Sequence, residues 1–145
     1  MTWPPPKLES STVRVSAETG TTSRGHASSV SLTILGQIYS MKNSKTPRRY
    51  GRGMVKHPKA RKFEADFALQ VPVDAKVGLG SMKHPLRAII TAYYPSWRQD
   101  LDLSIAYDLL QSCGVVSNDR WIREKHEWAH VDPENPRVEI LIEEI

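Results

Sequence analysis

The order of the elements predicts an α+β fold, in which a small mixed sheet packs against two or more helices. Three observations lead to this prediction: strand-like alternation over residues 30–34, helical apolar spacing over 58–71 and 102–113, and a second alternating segment over 138–142. The order along the chain is strand, helix, strand, helix, strand, strand. We expect the last two strands to form a hairpin-like pair.

The first half of this order rests on two clear patterns. Apolar and polar residues alternate over 30–34, which predicts a strand with one buried face. Pro58 suits the first turn of a helix. Phe63 and Phe67 then recur at helical spacing, and Pro72 ends the helix.

The second half begins with residues 86–94, which are apolar and β-branched and therefore predict a central strand. A helix beginning near residue 102 carries one apolar stripe and ends at Gly114, a natural C-terminal cap. Residues 120–131 are predicted as a strand. The alternation over 138–142 predicts the last one.

Composition excludes several classes of protein. The 145 residues suit one domain, and 25% charged with 39% hydrophobic residues is ordinary for a globular chain. There is no apolar run of about 18 residues, so we expect no membrane span. Residues 1–7 lack the apolar core of a secretory signal. The one cysteine, Cys113, leaves no internal disulfide or cysteine-based zinc site and suits the core.

The first 29 residues predict a flexible tail. They hold eleven Ser or Thr residues and three consecutive prolines, with few large apolar groups. Such a segment cannot bury enough surface to offset its ordering entropy. We therefore place the folded domain at residues 30–145.

Positive charge is concentrated in one segment. Nine basic residues lie between Lys42 and Lys62 without an acidic one, and the rest of the chain has 11 basic against 16 acidic residues, or −5. The polar, basic stretch 40–56 ends the first strand. The charge concentrated over 42–62 favours a polyanionic partner such as nucleic acid, although a solvated loop rich in Lys and Arg has the same composition. The residues expected to contact DNA are Lys42, Asn43, Lys45, Arg48, Arg49, Arg52, Lys56 and Arg98.

Three aspartates near the second helix are the candidate catalytic and metal-binding residues. Asp100 and Asp102 lie two apart before that helix, where an extended chain points both the same way. Asp119 follows the helix, and the turn must bring it back beside the pair. Three convergent carboxylates form a hard oxygen site suited to Mg²⁺ or Mn²⁺.

Each acid also has a structural explanation. Asp102 suits a helix N-cap, and Asp119 beside Asn118 suits a turn. Asp108 suits a solvated helix position. Spacing alone leaves the metal site and these structural roles open.

An ordered set of motifs resembles the RusA family of Holliday-junction resolvases. Its parts are Arg-x-Asp-Leu-Asp over 98–102, Asp-Leu-Leu over 108–110, Gly114 and the Asn-Asp turn at 118–119. Residues 35–44 resemble that family's Ser/Asn-rich loop, and the closing strand resembles its C-terminus. The resemblance runs from about residue 30 to the end of the sequence.

This resemblance implies a homodimeric, magnesium-dependent endonuclease that cuts branched DNA such as four-way junctions. The family's three aspartates correspond to Asp100, Asp102 and Asp119. The resemblance further implies roles in DNA recombination and repair, in the cytoplasm of a bacterium or phage-infected host.

The family's lysine is missing here. With Asp102 as the second carboxylate, Ala106 stands at the lysine position and Leu103 at the motif's asparagine. A gapless alignment from the helix instead puts Asp100 second and Arg98 first, with Ser104 in place of the lysine. We expect one of two outcomes. Either another basic residue, Arg98 or Lys42, supplies the missing positive charge, or the chain binds DNA but has lost the ability to cut it.

The main alternative is a non-catalytic nucleic-acid-binding module that uses segment 42–62. Trp97, Trp121 and Trp128 could stack bases, but core or dimer packing is the favoured prediction. His126 and His130 in a strand would be about 13 Å apart, too far to share a zinc ion.

Overall fold

The computed structural model describes residues 14–16, 29–40, 45–47, 51 and 53–145, with backbone only for 14–16 and 45–47. The architecture is α+β. The strands are β1 Arg14–Ser16, β2 Ser29–Leu35, β3 Lys45–Pro47, β4 Met54–Lys56, β5 Leu86–Tyr94, β6 Ile122–Val131 and β7 Arg137–Glu144. The helices are α1 Pro58–Gln70 and α2 Ser104–Ser112, with 3-10 turns at Val73–Ala75 and Asp119–Trp121.

The predicted elements form where their patterns place them. Strand β2 buries Val30, Leu32 and Ile34, and α1 buries Phe63 and Phe67. The His57 side chain caps α1 by accepting a hydrogen bond from the backbone N–H of Lys59 at 3.1 Å. Helix α2 ends just before Gly114, and Cys113 packs partly buried against the core.

The main sheet is open and mixed, with the order β1-β2-β7-β5-β6. Strand β7 runs antiparallel to both β2 and β5, whereas β6 runs parallel to β5. A parallel neighbour requires a crossover connection, and α2 supplies it. One face of the sheet supplies the core, with residues such as Ile34, Ile90 and Ile140 buried on it.

The predicted pairing of the last two strands is wrong. Strand β7 lies between β2 and β5, and β5 separates it from β6. The connection passes the end of β5, where the N–H of Asp132 donates to the carbonyl of Tyr94 at 2.8 Å. It then reaches the end of β2, where the N–H of Gly36 donates to the carbonyl of Pro136 at 2.9 Å. Alternation predicts which face of a strand is buried but not which strands flank it.

Two further expectations need correction. Arg14–Ser16, within the predicted tail, forms β1 and pairs antiparallel with β2, and β2 itself begins at Ser29. The rest of residues 1–28 lies outside the described residues. The predicted loop over 40–56 contains a hairpin, because β3 pairs with β4. None of the helices described here is both long and apolar enough to cross a membrane.

Candidate functional site

An open cavity of about 260 Å³ lies beside α2 and strand β6. Its lining combines the start of α2, the 3-10 turn before β6 and two residues of β6. The charged residues that line it are Asp102, Asp108, Asp119, Lys125 and Glu127. Two of the three predicted aspartates therefore share one cavity.

Asp102 is held firmly by serine hydroxyls and the start of the helix. Its Oδ1 accepts hydrogen bonds from the backbone N–H and the hydroxyl of Ser104, at 3.1 and 2.6 Å. Its Oδ2 accepts one from the Ser40 hydroxyl at 3.0 Å. Asp102 thus satisfies a free N–H of the first turn of α2, although Leu103 is the N-cap residue by position. The Asp102 side chain therefore caps α2, as one of its two predicted roles requires, and it also borders the cavity.

Asp119 is positioned through its backbone and leaves its carboxylate available. Its N–H donates to Oε1 of Gln111 at 2.9 Å. The Asn118 side chain caps the following 3-10 turn by accepting from the N–H of Arg120 at 3.0 Å. The Asp119 carboxylate has no hydrogen bond or ion pair to any residue that the structure describes. Asn118, rather than Asp119, therefore shapes the turn.

The cavity follows the exposed side of α2, with acids at both ends. Asp102 contacts Ser104 in the first turn, and Asp119 contacts Gln111 in the last. At 1.5 Å per residue these two contacts lie about 10 Å apart along the axis. Asp108 lies between them, since residues three and four apart on a helix are surface neighbours. The acids form a row rather than a single cluster.

Asp100 does not join this row. It is exposed and does not line the cavity, and its carbonyl accepts a hydrogen bond from Oη of Tyr94 at 3.3 Å. Burial raises the pKa of Tyr94, and the negative charges of Asp102, Glu127 and Asp100 raise it further. In the described part of the chain, no three His, Cys, Asp or Glu side chains group closely enough to hold one metal ion. The expected convergence of Asp100, Asp102 and Asp119 is thus not seen.

Three charged lining residues were missed or undervalued in the sequence. Asp108 is exposed on α2, as expected, and it also lines the cavity between the two aspartates. Lys125 and Glu127 come from β6, a strand with a mixed pattern. Their two-residue spacing places both on the same face of that strand. This spacing is the feature of the sequence that could have indicated a shared position for the two residues.

Tyr107 connects the two β6 residues. Its hydroxyl donates to Oε1 of Glu127 at 2.7 Å, and Nζ of Lys125 lies 4.1 Å from its ring centroid. The ring is only 5% exposed. Burial, followed by the bond to Glu127, raises the pKa of Tyr107 far above its ordinary value, so the hydroxyl stays protonated and keeps donating.

The predicted DNA contacts are only partly described. Lys56 pairs with Glu64 on α1 at 2.6 Å, and Arg98 is exposed in the connection between β5 and α2. The remaining predicted contacts lie outside the described residues, except that Lys45 lies on β3 with its side chain not described. Those outside are Lys42, Asn43, Arg48, Arg49 and Arg52.

The three tryptophans differ from one another in exposure. Trp97 is 75% exposed and Trp128 is 59% exposed, so neither belongs to the core of this chain. Trp121 is partly buried against the core, with the Arg120 guanidinium 4.5 Å from its ring centroid. Two indole rings are therefore accessible to a partner.

The donor chemistry of the cavity fits a hard divalent cation. Mg²⁺ in proteins is held by one or two carboxylates, with water and substrate phosphate oxygens completing its coordination. The available Asp119 carboxylate, and those of Asp108 and Asp102 along the same cavity, meet this requirement. A cage of three carboxylates around one ion does not fit the arrangement seen.

No family model matches the chain, and no curated protein matches it. The functional assignment therefore depends on the geometry of the cavity and on the motifs within the sequence. Both lead to the same stretch of chain, from the loop before α2 to strand β6.

Proposed function

We propose that this chain is a Mg²⁺-dependent endodeoxyribonuclease of the RusA resolvase type, which cuts branched DNA such as four-way junctions. Mn²⁺ is an alternative ion. The observation that carries this proposal is the row of Asp102, Asp108 and Asp119 along one open cavity. Carboxylates at the two ends of a helix beside an exposed groove suit a metal-assisted reaction on a phosphodiester.

The carboxylates supply the ion's protein ligands. Asp102, Asp108 and Asp119 are the residues that would hold Mg²⁺. The chemistry that bound Mg²⁺ supplies is stabilisation of negative charge on phosphate and activation of water. The serine contacts of Asp102 fix its orientation before substrate arrives.

The basic segment 42–62 would bind the DNA backbone without reading sequence. Selectivity for a junction would come from shape. A homodimer with two-fold symmetry would present two cavities to two opposed strands, as paired incisions require. Such an enzyme would serve DNA recombination or repair in a bacterial or phage-infected cell.

A cleavage assay tests this proposal. The substrate is a labelled mobile four-way junction, with linear duplex beside it, in Mg²⁺ and in EDTA. We expect paired, symmetric nicks in the junction only, lost in EDTA and in Asp119→Asn. Asp74→Asn is the matched control, because Asp74 lies in the 3-10 turn Val73–Ala75 and does not line the cavity. Absence of metal-dependent cleavage on every branched substrate would overturn the proposal.

A non-catalytic nucleic-acid-binding module is the second candidate. The engagement of both Asp102 oxygens and the spread of the acids favour it. Such a module would bind junctions equally in Mg²⁺ and EDTA, and Asp119→Asn would leave its affinity unchanged. Tight binding without nicks would decide for this candidate.

A further inference from the structure

We infer that Lys125 supplies the cation that stabilises the transition state in this cavity, and that Tyr107 positions it. This inference rests on the proposed nuclease function. Among the described residues that line the cavity, Lys125 is the one basic residue, beside the four carboxylates of Asp102, Asp108, Asp119 and Glu127. Arg98, expected from the sequence to replace a catalytic lysine, does not line it.

The Tyr107 ring holds Lys125 in place. Nζ lies 4.1 Å from the ring centroid, within the range of a cation–π interaction. The same tyrosine is anchored at its other end, because its hydroxyl donates to Glu127. The ring is buried on α2 and held at its hydroxyl by Glu127, so it is a rigid support for the flexible Lys125 side chain.

Lys125 differs in its pairing from two other lysines, Lys56 and Lys62. Lys56 and Lys62 form ion pairs with Glu64 and Asp66, at 2.6 and 2.7 Å. Lys125 forms no ion pair with any residue in the described ranges, although it borders an acidic cavity. Its charge therefore remains available for a phosphate oxygen.

The reaction shows where this charge acts. Water adds to phosphorus, and the bond from phosphorus to one bridging oxygen breaks. The water oxygen and one of its protons remain on the new phosphate monoester, while the other proton ends on the leaving oxygen, giving a free hydroxyl. Negative charge builds up on the non-bridging and leaving oxygens, and an ammonium in contact with them lowers the barrier.

Single-turnover cleavage of the four-way junction in Mg²⁺ tests this role. We expect Lys125→Met, which keeps the aliphatic stem, to slow cleavage about 10²–10³-fold. Lys125→Arg should recover part of the rate, because it keeps the charge. The dissociation constant for the junction in EDTA should change less than about threefold for either variant, since one charge in a wide interface contributes little.

Matched variants separate catalysis from structure. Arg123→Met changes an exposed basic residue on the same strand that does not line the cavity, and it should cleave at the wild-type rate. Tyr107→Phe keeps the ring and should cleave faster than Tyr107→Leu, which removes the support of Lys125. The melting temperature of each variant identifies any that fails to fold.

The outcomes distinguish this inference from the proposed function. Wild-type cleavage with an equal rate for Lys125→Met overturns the role of Lys125 and leaves the nuclease standing. Wild-type protein that cuts no branched DNA overturns the nuclease, and the role of Lys125 with it. A rate loss that Lys125→Arg does not recover at all also contradicts a role based on charge.

Discussion

The aspartates that line the cavity differ in how much they contribute to the stability of the fold. Asp102 accepts hydrogen bonds from the hydroxyls of Ser40 and Ser104 and from the first N–H of α2. Asp119 accepts none from any residue described, and is held through its backbone. A side chain that caps a helix contributes to folding, whereas an unbonded carboxylate is available for chemistry. We therefore expect the loss of Asp102 to lower the stability of the fold, and the loss of Asp119 to leave stability almost unchanged.

Replacing each aspartate by alanine tests this difference. Asp102→Ala should lower the free energy of unfolding by about 1 kcal/mol, because a cap is lost. Asp119→Ala should change it by less than about 0.5 kcal/mol, as expected for a residue without such contacts. Urea denaturation measures both values. Equal losses would show that Asp102 is not a cap in solution, or that Asp119 has a structural role.

Glu124 on the open face of the sheet should titrate abnormally. The hydrogen bond from His126, followed by that from Arg87, lowers the pKa of Glu124 below its usual 4.5. A carboxyl whose pKa is lower in the folded state stabilises the fold fully above its unfolded pKa. That contribution is lost as the pH falls through the lower folded pKa.

An NMR pH titration measures this effect directly. The Glu124 side-chain carbonyl should titrate below pH 4.5, and His126→Ala should move its midpoint upward. His130→Ala, which removes an exposed histidine farther along the same strand, is the control and should leave the Glu124 midpoint in place. A Glu124 midpoint that does not move in His126→Ala would contradict the stated cause.

At the scale of elements, local patterns in the sequence predicted much of the fold. The spacing of Phe63 and Phe67 located α1, and the alternation of Val138, Ile140 and Ile142 located β7. Such patterns report which side of an element is buried, because that side repeats with the element's own period. They do not report neighbours, so the place of β7 between β2 and β5 could not be predicted. Strand β1 was missed because three polar-flanked residues carry no period.

The bend before β5 depends on one glycine in tight surroundings. Gly80 has a φ of +95°, and a Cβ there would lie 2.8 Å from Cδ1 of Leu86 and 3.0 Å from Cβ of Trp121. Both neighbours leave little room, since Leu86 is fully buried in the core. The position therefore needs glycine for two reasons, the backbone conformation and the space.

Gly80→Ala should consequently destabilise the fold by at least about 2 kcal/mol. Gly78→Ala is the matched control, because its φ is +63° and nothing lies within 4 Å of the added Cβ. That control should lose about 1 kcal/mol from backbone strain alone. Thermal and urea unfolding of the pair would show the difference, and equal losses would rule out the steric contribution.

At the scale of the whole molecule, the sequence predicted only part of what surrounds the cavity. Two residues of the stretch from Asp100 to Asp119 that were predicted to converge, Asp102 and Asp119, do border one cavity, whereas Asp100 does not. Lys125 and Glu127 reach that cavity only because β6 pairs in parallel with β5 beside α2. A contact that depends on sheet pairing between distant segments leaves no local signature. Charge distribution, by contrast, is visible in the sequence alone.

The basic segment should dominate the salt dependence of DNA binding. Each neutralised phosphate contributes about −0.9 to the slope of log K against log salt. Arg48→Ala combined with Arg49→Ala should therefore flatten the slope by about 1.8 if both contact phosphates. Lys76→Ala with Lys83→Ala, both exposed and outside the segment, is the control pair. Equal slopes for the two double variants would place DNA elsewhere on the surface.

The position of β7 affects how the chain matures during translation. Every strand that β7 joins has already left the ribosome when β7 emerges, and until then β2 and β5 have no partner between them. The nascent chain up to residue 136 therefore holds two separate half-sheets with open edges, which chaperones or other nascent chains can bind. The two halves of the sheet join only when β7 is added between them, so these edges stay open until that strand has been synthesised.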